Sequence, residues 1–328
     1  MNQPWVEKYR PRHVEDVAHH DKVKRVLFGS QRTGDLPHLL FHGPPGTGKT
    51  STILALARTL LGEDKSKRRE RVLELNASDE RDSSVIRDKI KTFSKMSVSH
   101  DPKFPPIKLV ILDEADTMTP DAQSALRRTM ETDAAVTRFC LVCNQASKII
   151  APLASRCAKF RFSHVPAGSM KARLLYICEK EGVIFPRCSR SVLDAIVAIS
   201  RGDMRKSVNI LQTVSRLPEA TPESIAEISG EVPAAVLNEL WESLGAETSC
   251  FDSVVVAVST FVGQGFAVSI ALSEVQRRIV SFPPGRVSDA DKARVCTTVL
   301  EADRCLCDGA DEELQLLRVG CVVHDVLS

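Results

Sequence analysis

Residues His38–Thr50 read HLLFHGPPGTGKT, and the second part of that stretch, Gly43–Thr50, matches the phosphate-cradling pattern GxxxxGK[ST]. The pattern functions between a strand and a helix, and both neighbours are present. His38–Phe41 is a short apolar run of the kind buried in a parallel sheet, while Ile53, Leu54, Leu56, Leu60 and Leu61 give the following segment an apolar helical face. Glycines at 43, 46 and 48 let successive N–H groups turn inward, where the positive end of the helix completes an anion site. Lys49 is placed to reach the outer phosphates of a nucleoside triphosphate, and Thr50 to put its hydroxyl on a magnesium ion. The residues expected around ATP are Gly43, Pro44, Pro45, Gly46, Thr47, Gly48, Lys49, Thr50 and Ser51. A Gly/Pro turn with an exposed lysine is the competing reading; a Lys-Thr pair directly after the last glycine argues against it.

A second segment, Lys108–Asp116, reads KLVILDEAD, an apolar strand ending in adjacent carboxylates. At the C-terminal edge of a parallel sheet Asp113 can hold the magnesium shell, and Glu114 can orient or deprotonate the attacking water. Without the phosphate loop the same run would read as an acidic turn. Asn144 closes the next apolar strand, FCLVCN, so its amide can lie beside the two carboxylates and position water. Arg205 follows Gly202-Asp203; Asp203 can cap a helix and leave the arginine near that helix's start, either reporting phosphate occupancy or facing solvent.

The chain of 328 residues is long enough for two or three domains. Strand-like and helix-like segments alternate up to Phe162, which predicts parallel βαβ units. Strands are expected at Leu39–Phe41, Val72–Leu75, Leu109–Leu112, Phe139–Val142 and Lys159–Phe162, and helices at Lys49–Leu61, Asp82–Met96, Pro120–Glu131 and Ala146–Leu153. Beyond Val165-Pro166 apolar residues recur only at helical intervals, and Gly230–Pro233 reads as a second joint. The expected organisation is an α/β domain over 1–164, a small helical domain over 165–230 and a helical C-terminal domain over 231–328.

A formal charge of +2 means that any polyanion must be held by a local basic surface, not by the field of the whole molecule. The ten cysteines lack zinc spacing. Cys140 and Cys143 fall three apart on one strand and point to opposite faces, so buried free thiols are the better account. The N-terminal MNQPWVEKYRPR has no apolar core of a secretory signal, and the apolar run near Val254–Val262 is too short and too interrupted to span a bilayer. A soluble protein with no membrane partner is expected. Lys65–Arg71, KSKRRER, is either a nuclear address or a solvated loop.

Taken with PWVEKYRPR, LELNASDERD, the run KLVILDEADTMTPDAQSALRRTME, the run RFCLVCNQASKIIAPLASRCAKFRF and GDMRK, the phosphate loop makes this chain resemble the AAA+ ATPases of the clamp-loader branch, the small subunits of eukaryotic replication factor C, over essentially its whole length. The resemblance implies an AAA+ P-loop domain with a five-stranded parallel sheet, an all-α lid and an all-α collar through which subunits assemble. It implies an ATPase subunit of a heteropentamer that opens a ring-shaped sliding clamp and loads it on primer-template DNA, with ATP and magnesium, in the nucleus. Tyr9, Arg10 and Pro11, with Val17 and Ala18, then lie against the adenine; Asn144 and Arg205 correspond to the family's two sensors. Arg156, in Ser155-Arg156-Cys157, corresponds to an arginine finger supplied in trans to a neighbouring subunit's ATP. Such a finger is worth about three to five decades in rate.

The segment after Asn76-Ala77-Ser78-Asp79 has Ile86, Ile90 and Phe93 on one face and Arg87, Lys91 and Lys95 on another. By itself that spacing more commonly describes a solvated basic face. The resemblance makes Arg81 and Arg87 contacts to the DNA backbone, with Lys91 and Lys148 as further candidates; Asp82 stands where the family usually has glycine. Backbone contacts of this kind are insensitive to base sequence and weaken with salt. The resemblance also puts clamp contact at about Phe93–Pro106. Two other functions stay open: an architectural subunit whose nucleotide is structural, and a different AAA+ machine, which would need an aromatic-hydrophobic pore loop that the chain does not offer.

Overall fold

Five short apolar runs form one sheet: β1 Leu39–His42, β2 Val72–Asn76, β3 Lys108–Asp113, β4 Thr137–Cys143 and β5 Ala158–Arg161. All pairings are parallel, in the order β2-β3-β4-β1-β5. β3, β4 and β1 are buried along nearly their whole length, as parallel strands covered on both faces must be, whereas β5 alternates between half-buried and exposed. The register brings His42 opposite Cys143, and Asn76 opposite Asp113. The ends of β1, β3 and β4 therefore share one edge of the sheet, the edge at which ligands bind in open α/β folds.

The computed structural model describes residues 3–17, 20, 23–27, 29, 36–62, 64–78, 83–96, 105–132, 136–183, 189–217, 220–245, 251–283 and 285–327. In the first part the helices include α1 Trp5–Lys8, α2 Lys49–Leu61, α3 Lys65–Arg71, α4 Ser83–Lys95, α5 Pro120–Thr132 and α6 Ala151–Ala154. One sheet face (Leu40, Val110, Leu112, Phe139, Leu141, Cys143) packs on Ile90 and Phe93 of α4, Leu126 and Met130 of α5, and Leu153 of α6. The opposite face (Leu39, Phe41, Leu109, Ile111, Cys140, Val142) packs on Ile53, Leu56 and Leu60 of α2. Cys140 and Cys143 thus lie in different cores. Three further helices, α7 Ala167–Glu181, α8 Ser189–Ser200 and α9 Met204–Val214, complete a compact unit that runs from Met1 to Ala220.

Three local features differ from the sequence-based expectation. Ala146–Leu153 is not one helix: a 3-10 turn at Ala146–Lys148 and the four-residue α6 are separated at Ile149–Ile150. Pro152 has no N–H to donate back across that gap. Lys65–Arg71 is a helix, not a loop, and Arg71 is buried, with Nη1 donating to the Pro105 carbonyl at 3.2 Å. Strand β5 ends at Arg161, one residue short of Phe162, which is buried under β1.

Lys108 opens a buried strand with its side chain 1% exposed. Its Nζ donates to the carbonyls of Phe93 (2.6 Å), Ser94 (3.0 Å) and Met96, so a buried charge is offset by closing the C-terminus of α4.

The second compact unit, Thr221–Ser328, holds α10 Pro222–Ser229, α11 Ala234–Gly245, α12 Phe251–Gly263, α13 Val268–Ser281, α14 Asp289–Cys307 and α15 Glu312–Leu327. By contacts the chain divides after Ala220, ahead of α10. Leu316, Val319 and Val323 of α15 sit in the centre of its core, among Leu244, Val254, Val258, Leu272 and Val295. Gly320 allows the closest approach: a Cβ there would stand 3.0 Å from Leu244 and 3.1 Å from Val254. Among the described residues, no helix is long and apolar enough to cross a membrane.

Candidate functional site

A cleft at the C-terminal edge of the sheet is lined by Pro45, Gly46, Thr47, Gly48, Lys49, Thr50 and Ser51 from the phosphate loop, by Asp113, Glu114 and Asn144 from β3 and β4, and by Arg205 at the start of α9. The loop lies between β1 and α2, as its sequence requires. Lys49 is buried; its Nζ donates to the carbonyls of Gly43 (2.7 Å) and Pro44 (2.8 Å) and to Asn144 Oδ1 (2.9 Å). Gly43 and Pro44 thus meet the site through their carbonyls on this lysine. Burial pulls the Lys49 ammonium below its usual pKa, and the negative charge of Asp113 opposes that shift. The charge of an incoming polyanion would oppose the same shift.

Thr50 Oγ1 donates to Asp113 Oδ2 at 2.8 Å, which puts a hydroxyl and a carboxylate side by side, an oxygen donor pair suited to a hard cation. Glu114 follows with φ at 53°, in the left-handed region, and its N–H donates to Asp113 Oδ1 at 2.9 Å. A non-glycine residue pays about 1–2 kcal/mol for that conformation. Here it turns the chain into a 3-10 segment, Ala115–Thr117, and leaves Glu114 exposed to the cleft. The next acid, Asp116, accepts the backbone N–H groups of Asn144 (3.2 Å) and Gln145 (3.1 Å), fixing the end of β4 to the acidic turn.

The lid closes on the phosphate loop through one glycine. Gly46 has φ at +66°, and its carbonyl accepts the N–H of Met204 at 3.1 Å. A Cβ at Gly46 would lie 1.7 Å from Asp203 Oδ1. That same oxygen accepts the N–H of Lys206 at 3.0 Å as the N-cap of α9. Arg205 lies in the first turn of α9, exposed and facing the cleft.

The far end of the cleft is built by Tyr9, Arg10, Pro11 and Val17, joined by Trp5, Val6 and Asp16, and on the lid side by Val165, Arg173, Ile177, Met204 and Val208. Arginines hold this strip by its backbone: Arg173 donates to the Tyr9 carbonyl at 2.8 Å and Arg58 to that of Pro11 at 3.2 Å. Glu181 at the end of α7 accepts Lys8 Nζ and Tyr9 Oη, each at 2.6 Å. Those bonds, Lys8 first, hold the Glu181 carboxyl below its ordinary pKa, while burial and then Glu181 push the Tyr9 phenol up. Ala18 lies outside the described residues.

Other expected residues stand apart from the cleft. Arg156, in the turn between α6 and β5, forms an ion pair with Glu131 and donates to the Pro152 carbonyl at 2.8 Å. Arg81 and the side chain of Arg87 lie outside the described residues; Lys91 is exposed on α4 and Lys148 on the 3-10 turn after β4. Buried Gln123 ties that turn down, donating to the carbonyls of Met118 (3.2 Å) and Lys148 (3.0 Å) and accepting Ile150 N–H at 2.8 Å. The Cys143 thiol is pushed up to about 12 by burial, and among the described residues no cluster of His, Cys, Asp and Glu is arranged for a metal ion.

A phosphate loop after β1, an acid pair at the end of β3 and a polar residue just after the intervening β4 define a P-loop nucleotide-binding domain with an attached helical lid. Residues 39–165 match the ATPase family associated with various cellular activities (AAA). The fold resembles that of a single-substitution variant of Thermotoga maritima RuvB, with a TM-score of 0.54 at 14% identity over 78% of this chain and 85% of that one. The chain is 48% identical to replication factor C subunit 2 of Oryza sativa subsp. japonica, over 97% of its own length and 93% of the relative's. It is 45% identical to replication factor C subunit 4 of Homo sapiens, over 99% and 89% of the two chains. The chain belongs to the replication factor C subunit family of AAA ATPases and binds nucleotide.

Sequence reasoning did not single out Asp116, Arg173, Arg58 or Glu181. Asp116 stood in the quoted KLVILDEAD run and was legible there as a third carboxylate. The other three act on partners distant in sequence, and nothing local marks them.

Proposed function

We propose that this chain is an ATP-hydrolysing subunit of a heteropentameric sliding-clamp loader, which uses ATP binding and hydrolysis to open the clamp and place it on primer-template DNA during replication and repair. The observation that carries this reading is the convergence of Lys49, Thr50, Asp113, Glu114 and Asn144 in one cleft of a replication factor C family member. Lys49 and the loop N–H groups take the triphosphate, Asn144 and Glu114 hold the attacking water, and Glu114 accepts its proton. Thr50 and Asp113 are the residues that would hold magnesium, which when bound neutralises charge on the outer phosphates. Tyr9, Arg10, Pro11, Val17 and Ala18 take the base, and Arg205 senses the phosphate from the lid.

Arg156 serves a neighbouring subunit's ATP, so hydrolysis belongs to interfaces between subunits. Its position outside its own chain's cleft supports that role. Arg81, Arg87, Lys91 and Lys148 follow the DNA backbone. The AAA+ domain spans 1–164, the lid 165–230 and the collar that assembles the subunits 231–328; the site of action is the nucleus.

The test is Glu114→Gln within the assembled complex. Retained ATP binding with turnover at this site reduced by about two decades or more supports a catalytic site. Wild-type turnover and clamp loading would instead favour a structural nucleotide.

A further inference from the structure

Arg156 is the residue on which catalysis in trans depends in the reading above, and the structure shows what holds it. It sits in an exposed turn, 39% accessible, on a long side chain with many rotamers. Two contacts restrict it. Nη2 pairs with Glu131 Oε1, and Nη1 donates to the Pro152 carbonyl at 2.8 Å. Glu131 is in the last turn of α5, anchored through buried Leu126, Thr129 and Met130. The same Oε1 lies 3.6 Å from Nε of Arg127, one turn back on the helix. One carboxylate therefore serves two guanidinium groups and leaves a net positive charge at this corner.

We propose that Glu131 is a positioning residue for Arg156, holding the guanidinium aimed outward for the polyphosphate of a neighbouring subunit; this rests on the assignment of Arg156 as a trans finger. A guanidinium has five N–H donors, and the two contacts leave others for an outside anion. Pairing does not alter its charge, since arginine stays protonated; it alters orientation, and ordering the side chain beforehand removes that cost from the encounter. A lock would behave differently: if Glu131 had to release Arg156, removing it would speed the reaction.

The experiment uses the assembled complex with Glu131→Ala, Glu131→Gln, Arg156→Ala and the Glu131→Ala/Arg156→Ala double variant in this chain, with assembly checked by mass. Glu131→Ala is expected to lower kcat about three- to fivefold, the scale of one exposed ion pair. KM for ATP should hold, because that ATP is bound by the neighbour's own loop. Glu131→Gln, which keeps an acceptor, should recover part of the loss, and the double variant should be no slower than Arg156→Ala. A wild-type or raised kcat in Glu131→Ala overturns the proposal, as does an additive loss in the double variant. If the alanine variant does not assemble, a glutamine variant at full wild-type kcat overturns it and a partial loss of kcat supports it. Arg156→Ala separates the two levels: a silent Arg156→Ala refutes the finger itself, whereas a slow Arg156→Ala beside a silent Glu131→Ala refutes only the role of Glu131.

Discussion

Replacing Gly46 with alanine should damage the molecule twice, by amounts that the geometry supplies. The residue has φ at +66°, where an L side chain costs about 1–2 kcal/mol. The added Cβ would stand 1.7 Å from Asp203 Oδ1, so the carboxylate must swing away and give up its bond to Lys206 N–H. Losing that N-cap costs about 1 kcal/mol more. The sum is about 2–3 kcal/mol, which for a unit of this size lowers Tm by about 4–12 °C. The assay is thermal unfolding of Gly46→Ala, Asp203→Ala and the double variant, followed by ATP affinity. With Asp203 already truncated, the glycine substitution should cost only its backbone strain, so the double variant is more stable than the two single losses added. Additive losses, or a Gly46→Ala chain as stable as wild type, would refute the claim that the lid helix docks through this contact.

Lys108→Met should destabilise the first unit by about 2–4 kcal/mol, because it strands the carbonyls at the end of α4 without a donor; urea unfolding measures it, and a neutral result would show that water replaces the ammonium freely. In the second unit, hydrogen bonds and charge from Arg277 and Arg278 hold Glu274 at about 2, below its ordinary 4.5. A depressed carboxyl pKa contributes stability above the ordinary value that is lost as pH falls through the lowered one. Glu274→Gln should therefore cost about 1 kcal/mol at pH 7, allowing for its partly exposed partners, and the gap to wild type should narrow from pH 5 toward pH 2. A gap independent of pH would sink that account.

Much of this fold was readable because its signals are local. The apolar runs ending at His42, Asp113 and Cys143 are short and bounded, and parallel strands buried on both faces carry little else. The phosphate loop announces itself because its glycines, lysine and threonine are contiguous. What escaped was set by tertiary contact. The break at Ile149–Ile150 is the local exception: Pro152 signals it, but apolar spacing alone predicts one helix there. Lys65–Arg71 is helical although its composition reads as loop. Glu181 and Arg173 reach Tyr9 from more than 160 residues away, as the separations of 172 and 164 show, so no window of sequence could pair them. Glu131 was visible as part of SALRRTME, but its partner Arg156 is brought to it only by the packing of α5 against α6.

The most direct test of the central claim is ATP hydrolysis by the co-expressed complex, with and without clamp and primed DNA, comparing wild type with Lys49→Ala in this chain. An active loader ATPase predicts synergistic stimulation by clamp and DNA that falls in the variant, because the Nζ now held by Gly43, Pro44 and Asn144 is no longer there to meet the phosphates. Stimulation unchanged by the substitution would contradict the account and assign catalysis to the neighbouring subunits.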